Sequence, residues 1–324
     1  MNAVKIITII CWIISAIVLA GLLIWFITGT VFGSGLFWSD GIGNWSIGCS
    51  TENLTGPFES QGTQTADVAN INSIKIGWVA GEITVIPHDG NEIQVTEYAQ
   101  RSLRDNERLR MTTDGGTLNI RFRERNIIGN MPRKNLEVLV PFGLSVDMTR
   151  LDISTTSGSV KTEDFTADTV DISSVSADIN IAKIVSQTID ISTTSGTITA
   201  TDVRTGKLDT SSVSGAANIT EAVATVLNTS TTSGRTNASG QFERIDVSSV
   251  SGGTTISSET TPGTMSVSSV SGGIDIYIPN QGEITVNHSA VSGRFSSEIP
   301  VRIQNSAAYN FSSVSGNTNI YALG

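Results

Sequence analysis

Between Leu151 and Ile320 one short phrase returns again and again, with little more than its connecting residues changed. It reads Leu151-Asp-Ile-Ser-Thr-Thr-Ser-Gly158, then Val170-Asp-Ile-Ser-Ser-Val-Ser-Ala177, and continues at Ile189 to Gly196, Leu208 to Gly215, Leu227 to Gly234, Ile245 to Gly252 and Met265 to Gly272. A degraded copy ends at Gly293 and a ninth runs from Tyr309 to Gly316. The phrase-ending positions 158, 177, 196, 215 and 234 are 19 apart, and the later steps are 18, 20, 21 and 23. A period this short leaves one architecture, a solenoid whose repeats bury their apolar side only by stacking on their neighbours.

Within the phrase the alternation has period two, the signature of a strand with opposite faces. Leu151, Ile153 and Thr155 share the core face; Asp152, Ser154 and Thr156 share the other. A second alternation follows each Ser-Gly, as in Asp178-Ile179-Asn180-Ile181, so each repeat is expected to give two short strands joined at the glycine. Glycine there permits a bend at positive φ, and Ala177 implies that the bend accepts a Cβ at some cost. The Thr-Thr and Ser-Val versions of the phrase alternate through the first six copies, so the coil is 19 residues or a 38-residue turn carrying two phrases.

The net charge of −10 over 324 residues argues against a nucleic-acid binder, which needs a basic face. No charged residue lies between Lys5 and Asp40, and Ile6 to Ile27 is almost unbroken hydrophobicity. As a helix that run rises about 33 Å, enough for a hydrocarbon core of roughly 30 Å. Residues 1–28 therefore read as a cytoplasmic N-terminus and a single transmembrane anchor, with Lys5 inside and the repeats outside the cell membrane. A cleaved signal peptide is the competing reading; the apolar run outlasts its small residues Ala16 to Gly21 and favours the uncleaved anchor. Cys11 lies in the span and Cys49 beyond it, so the two do not pair. Residues 29–72, rich in Gly, Ser, Thr and Asn, read as a tether, with Trp38 and Trp45 as interfacial anchors near the membrane exit.

Residues 73–150 carry weaker versions of the pattern, Val79 to Val85 and Asp114 to Ile120, and read as divergent coils or a cap before the solenoid of residues 151–324. The run Ile74 to Val85, the strand ending Val138-Leu-Val-Pro141 and the Ser-Gly phrases after it resemble the putative-adhesin domain family, a bacterial domain of unknown function that includes LiaG-like envelope proteins. The resemblance covers about Ile74 to Ile320. It implies an all-β solenoid and a place in the cell envelope, and it supplies no catalytic residues.

The chemistry in the sequence is sparse. His88 and His288 are the only histidines, in contexts that read as turns, and neither a Gly-x-Ser-x-Gly elbow, a phosphate loop, a zinc motif nor a calcium loop is present. The expectation is no enzyme and no cofactor or metal. The outward Asp152, Asp171, Asp190, Asp209 and Asp246, with Asn228 among them, read as gatekeepers against aggregation or as a ladder relieved by a divalent cation. Nine of the twenty basic residues fall between Arg101 and Lys134. Arg108 and Arg110 are expected to share one strand face, and Arg121 and Arg123 another; with Arg125 they form a candidate patch for anionic cell-wall polymer or lipid head groups. The functional expectation is a membrane-anchored, non-enzymatic envelope binding or adhesion module. The alternatives are an envelope-stress scaffold or sensor that partners another envelope protein and, remotely, a polysaccharide-acting enzyme.

Overall fold

The computed structural model describes residues 55–123, 132–305 and 307–323. The apolar run Ile6–Ile27, Cys11, Cys49, Trp38, Trp45 and Arg125 lie outside the described residues. Among the described residues no helix is long and apolar enough to cross a membrane. The chain divides between Gln187 and Thr188 into two compact units.

In the unit of residues 55–187, β2 (Ser73–His88) is a full early copy of the phrase. Its Ile74, Ile76, Trp78, Ile83 and Val85 are buried. It pairs in parallel with β7 (Met148–Thr193), Ile74 opposite Leu151 and Gly81 opposite Gly158. The chain between them leaves the stack and closes its end. β5 (Thr117–Arg121) and β6 (Lys134–Pro141) lie in parallel on β2. The antiparallel neighbours are β3 (Glu92–Ala99) on β6, β1 (Glu59–Asp67) on β3, and β4 (Arg110–Asp114) on β5. A single helical turn, α1 (Phe142–Ser145), leads into β7.

The expected cap is therefore a small antiparallel sheet with a hairpin. It also takes in residues that the composition assigned to the tether. β1 is exposed at most positions and has no apolar period to announce it; ladder bonds to β3 make it a strand.

In the unit of residues 188–323, β8 (Ile198–Thr201), β9 (Arg204–Ser212), β10 (Ala217–Thr231), β11 (Thr236–Ser251) and β12 (Thr254–Ser258) are all in parallel register. Leu227 lies opposite Leu208 on one side and Ile245 on the other, so one coil is one phrase of about 19 residues and the 38-residue turn is excluded. The arrangement is all-β and consistent with a β-solenoid.

The remaining strands are β13 (Thr264–Ser271), β14 (Ile274–Pro279), β15 (Ile284–Ser292), β16 (Phe295–Ser297), β17 (Val301–Ile303), β18 (Tyr309–Ser315) and β19 (Thr318–Leu323). Here chain order and stacking order part. β18 pairs with β13 on one side and β15 on the other, and β19 lies between β14 and β16. The degraded eighth copy thus takes the outer place, and the ninth sits inside it.

The coil has one more bend than the alternation suggested. In β10 the inward residues are Ala217 and Ile219, then Ala222 and Ala224, then Leu227, Thr229 and Thr231, with the parity reset between the sets. The extra corner is a left-handed residue, Glu221 at φ 55° and Asp202 at φ 50° in this unit, Asp164 at φ 62° and Lys183 at φ 53° in the other. Left-handed backbone costs about 1–2 kcal/mol for a residue with a Cβ. The continuous ladders on both sides offset it.

At most phrase-ending bends the coil beneath leaves no room for a Cβ. A Cβ built on Gly215 would lie 1.6 Å from the carbonyl oxygen of Gly196, and one on Gly234 would lie 1.9 Å from that of Gly215. The contact repeats up the stack from Gly252 to Gly234, Gly272 to Gly252, Gly316 to Gly272 and Gly293 to Gly316. In the other unit Gly158 meets Gly81 in the same way; φ is +121° there and +146° to +157° at Gly252, Gly272, Gly293 and Gly316, but it is not positive at Gly215 or Gly234. Positive φ is thus not the shared reason. Ala177 fills this phase without adopting a left-handed backbone.

The inward Ser or Thr three residues before the bend has a purpose that apolarity could not announce. Ser212 Oγ accepts the Gly215 N–H at 2.8 Å, Ser174 Oγ accepts that of Ala177 at 2.8 Å, and Thr231 Oγ1 donates to the Gly234 carbonyl at 3.2 Å. Each hydroxyl caps its own corner. Ser212→Ala is expected to lower stability by about 1–3 kcal/mol by leaving a buried N–H without a partner, whereas Ser211→Ala on the outer face stays within about 0.5 kcal/mol. Denaturant midpoints of the two variants check it.

Candidate binding surface

The basic run from Arg101 to Lys134 does not form one patch. Lys134 begins β6 with its side chain turned into the core, fully buried between Trp78 and Phe122, whose ring centres lie 5.0 and 4.2 Å from Nζ. Its ammonium donates to Glu97 Oε2 at 2.9 Å and to the carbonyls of Glu107 and Phe122. Burial pushes its pKa down to about 8, against the pull of Glu97.

Arg101 is committed too, donating through both terminal nitrogens to the two oxygens of Glu107 at 2.8 and 2.9 Å. Arg101, with the backbone N–H of Arg104, holds the Glu107 carboxyl at about 2. This carboxylate fixes the 3₁₀ turn Asp105–Glu107, beside the ammonium it helps to enclose.

Of the arginines expected to bind, the fold brings two together. Arg110 and Arg121 lie directly opposite each other in the β4–β5 hairpin, and both are exposed. Like charges directly opposite each other on paired strands repel. Arg108 is half-buried, its guanidinium donating to the Gln61 carbonyl at 2.6 Å. It does not share a strand with Arg110, since β4 begins at Arg110. Arg123 stands half-buried past the end of β5, separated from Arg121 by the buried Phe122.

The aspartate ladder is compensated by cations the sequence reading left out. In the unit of residues 55–187, Lys75 reaches Asp152 at 3.0 Å and Arg150 reaches Asp171 at 2.8 Å. Burial, then the charge of Asp152, raises the pKa of Asp171. In the other unit Lys207 meets Asp209 at 2.5 Å and Arg244 meets Asp246 at 2.7 Å, while Asn228 donates to Asp209 at 2.6 Å. Lys207 and Arg244 each stand two residues before their partner on the same strand face, a spacing visible in the sequence. Among the described residues no three His, Cys, Asp or Glu side chains gather in a way that would hold a metal.

His88 lies at a turn, with Nδ1 accepting the Gly90 N–H at 3.1 Å. His288 does not. It lies in β15 opposite Phe311, packed on Phe295 at 5.0 Å, and burial lowers its pKa. A depression beside the cap holds about 310 Å³ and is lined by Thr65, Ile71, Met111, Thr112 and Leu118 among others, a set without acid–base groups apart from Asp67.

The family model described as Toastrack DUF4097 matches residues 71–321. No curated protein matches the sequence. Among solved structures, the chain is similar to a putative adhesin from Bacteroides fragilis NCTC 9343, with a TM-score of 0.51 and 16% identity over 66% of this chain and 95% of that one. A putative adhesin from Parabacteroides merdae ATCC 43184 gives a TM-score of 0.52 and 11% identity, covering 79% of this chain and 95% of that one. A protein named as a putative lipid binding protein, from Parabacteroides distasonis ATCC 8503, gives 0.51 and 13%, with 80% and 96% covered. At these identities the likeness is one of fold.

Proposed function

We propose, on the premise that the chain belongs to the Toastrack DUF4097 family, that it is a non-enzymatic binding module of the bacterial cell envelope, held at the membrane by its N-terminal apolar run with the repeats outside. The observation that carries the reading is the exposed Arg110–Arg121 pair on the cap hairpin. A guanidinium group matches the paired oxygens of phosphate, the group shared by anionic wall polymers and lipid head groups. The names of the similar adhesins agree with a role at a surface, and fold alone leaves the ligand open.

The test is co-sedimentation of the full-length chain with wall polymer and with anionic liposomes at low and high salt. The wild type is expected to sediment at low salt and to be released as salt rises. Arg110→Ser/Arg121→Ser should bind several-fold less while losing no more than about 1 kcal/mol of stability, because exposed charges contribute little to folding. Binding that survives both salt and substitution removes the patch from the reading. A chain that binds no envelope fraction but cross-links in cells to one membrane protein would favour the scaffold role.

A further inference from the structure

Five residues after the bend glycines Gly272 and Gly316, the coils carry Tyr277 and Tyr321. The two stand in register on β14 and β19 with ring centres 4.7 Å apart and planes 19° from parallel. Both are partly exposed. The stack ends abruptly. On the other side of Tyr277 the register residue is Ser257, and beyond that Ser239, side chains too small to cover an aromatic ring at a strand spacing of about 4.8 Å. One face of Tyr277 is therefore left open over a shallow floor.

Alongside runs a second outward row, two residues earlier on the same strands: Asn237, Thr255, Asp275 and Asn319 in successive register. Asn319 donates to Asp275 at 2.8 Å, which orients the amide and leaves the carboxylate as an acceptor at the edge of the rings. Asn237 likewise donates to Asn218 at 2.9 Å. Glu298, exposed next to Tyr321, adds a second carboxylate. Arg235 and Arg294 stand at the other end of these strands, beside the glycine bends. The aromatic end is thus negative, and it repels phosphate and carboxylate ligands.

We propose that Tyr277, Tyr321, Asn237, Thr255, Asp275 and Asn319 form a binding surface for an uncharged glycan chain. The inference deepens the envelope-binding reading and rests on it, with a site and ligand class separate from the arginine pair. A pyranose presents an apolar C–H face that stacks on an aromatic ring and a rim of hydroxyls that needs donors and acceptors in a row. Both are present here at one strand spacing. Ligands of opposite character are thereby sorted to different parts of the chain, anions to Arg110 and Arg121, neutral sugars to the tyrosines.

The experiment is calorimetric titration of the full-length chain, in a non-glycosidic detergent, with N-acetylglucosamine hexamer, cellohexaose and poly(glycerol phosphate). At least one uncharged hexamer is expected to bind, at least about tenfold more weakly in Tyr277→Ala and Tyr321→Ala, and within about twofold of wild type in Tyr277→Phe, which keeps the ring. Ser257→Tyr serves where an alanine variant loses its fold, because a third ring over the open face blocks the ligand without emptying the stack. The proposal is overturned if neither hexamer binds, or if both Tyr277→Ala and Ser257→Tyr bind as wild type does. Wall sedimentation of the same variants separates the two readings. Sedimentation without hexamer binding removes this inference and leaves the envelope role; hexamer binding without sedimentation does the reverse.

Discussion

Gly215→Ala is expected to abolish or severely weaken folding of the repeats, although it adds a single methyl group. The new Cβ would lie 1.6 Å from the carbonyl oxygen of Gly196 and 2.5 Å from its carbon. Neither partner can retreat, because the neighbouring strands are locked in parallel register by Ala217 opposite Ile198 and Leu227 opposite Leu208. The obstacle is backbone, so no rotamer relieves it. A cost above about 4 kcal/mol follows, in the range reserved for overpacking and broken networks. Gly143→Ala is the matched control, since a Cβ there meets nothing within 4 Å, and its expected change is within about 1 kcal/mol. Circular dichroism melts of the two variants decide the matter, and equal losses would end the account of the glycine spine.

The second large effect belongs to Lys134. Lys134→Met is expected to cost about 3–5 kcal/mol, because it leaves Glu97 charged and buried and strips a donor from the carbonyls of Glu107 and Phe122. Lys134→Met/Glu97→Gln should recover much of that loss, since the charge left behind is the main penalty. The pH dependence gives an independent signature. The folded ammonium titrates near 8, below its ordinary 10.5, so between those values the unfolded chain binds the proton more tightly. Stability from this group is lowest below about pH 8 and rises as pH climbs toward 10.5. Unfolding free energies of wild type relative to the double variant, from urea titrations, should therefore increase between about pH 7.5 and 9.5, by about 1–2 kcal/mol. A difference that is flat, or that falls, would mean that burial does not dominate the titration of Lys134.

What could be read from the sequence was whatever leaves a residue-type trace at fixed spacing. Leu151, Ile153 and Thr155 do face the core, and the Ser-Gly phrases do mark successive coils. The left-handed corners were missed because Asp164, Lys183, Asp202 and Glu221 share a phase but no single residue type. The basic run misled for a different reason. Its members are close in sequence, yet Lys134 is claimed by Trp78, Glu97 and Phe122, which three other segments deliver. Only the crossing of β2 with the cap brings them together. Arg110 and Arg121 were legible as exposed arginines, but their direct apposition depends on the tight turn Gly115–Gly116, which sets the hairpin register.

The inversion of the last two coils bears on how the chain is made. From Ile198 through Gly272, chain order and stacking order run in the same direction, so each coil that emerges from a ribosome finds its neighbour already made. Residues 284–305 emerge next and, beyond the short β15–β17 pairing among themselves, find no seat, because β18 and β19 have not yet been made. Growth of the stack pauses there. It resumes when residues 309–323 arrive, lie down on β13 and β14, and offer their other edge backward to a segment that has been waiting. The end of the stack is thus sealed by a strand older than the one it covers, and a nascent chain cut before residue 309 would hold two coils' worth of sequence with only one edge to share.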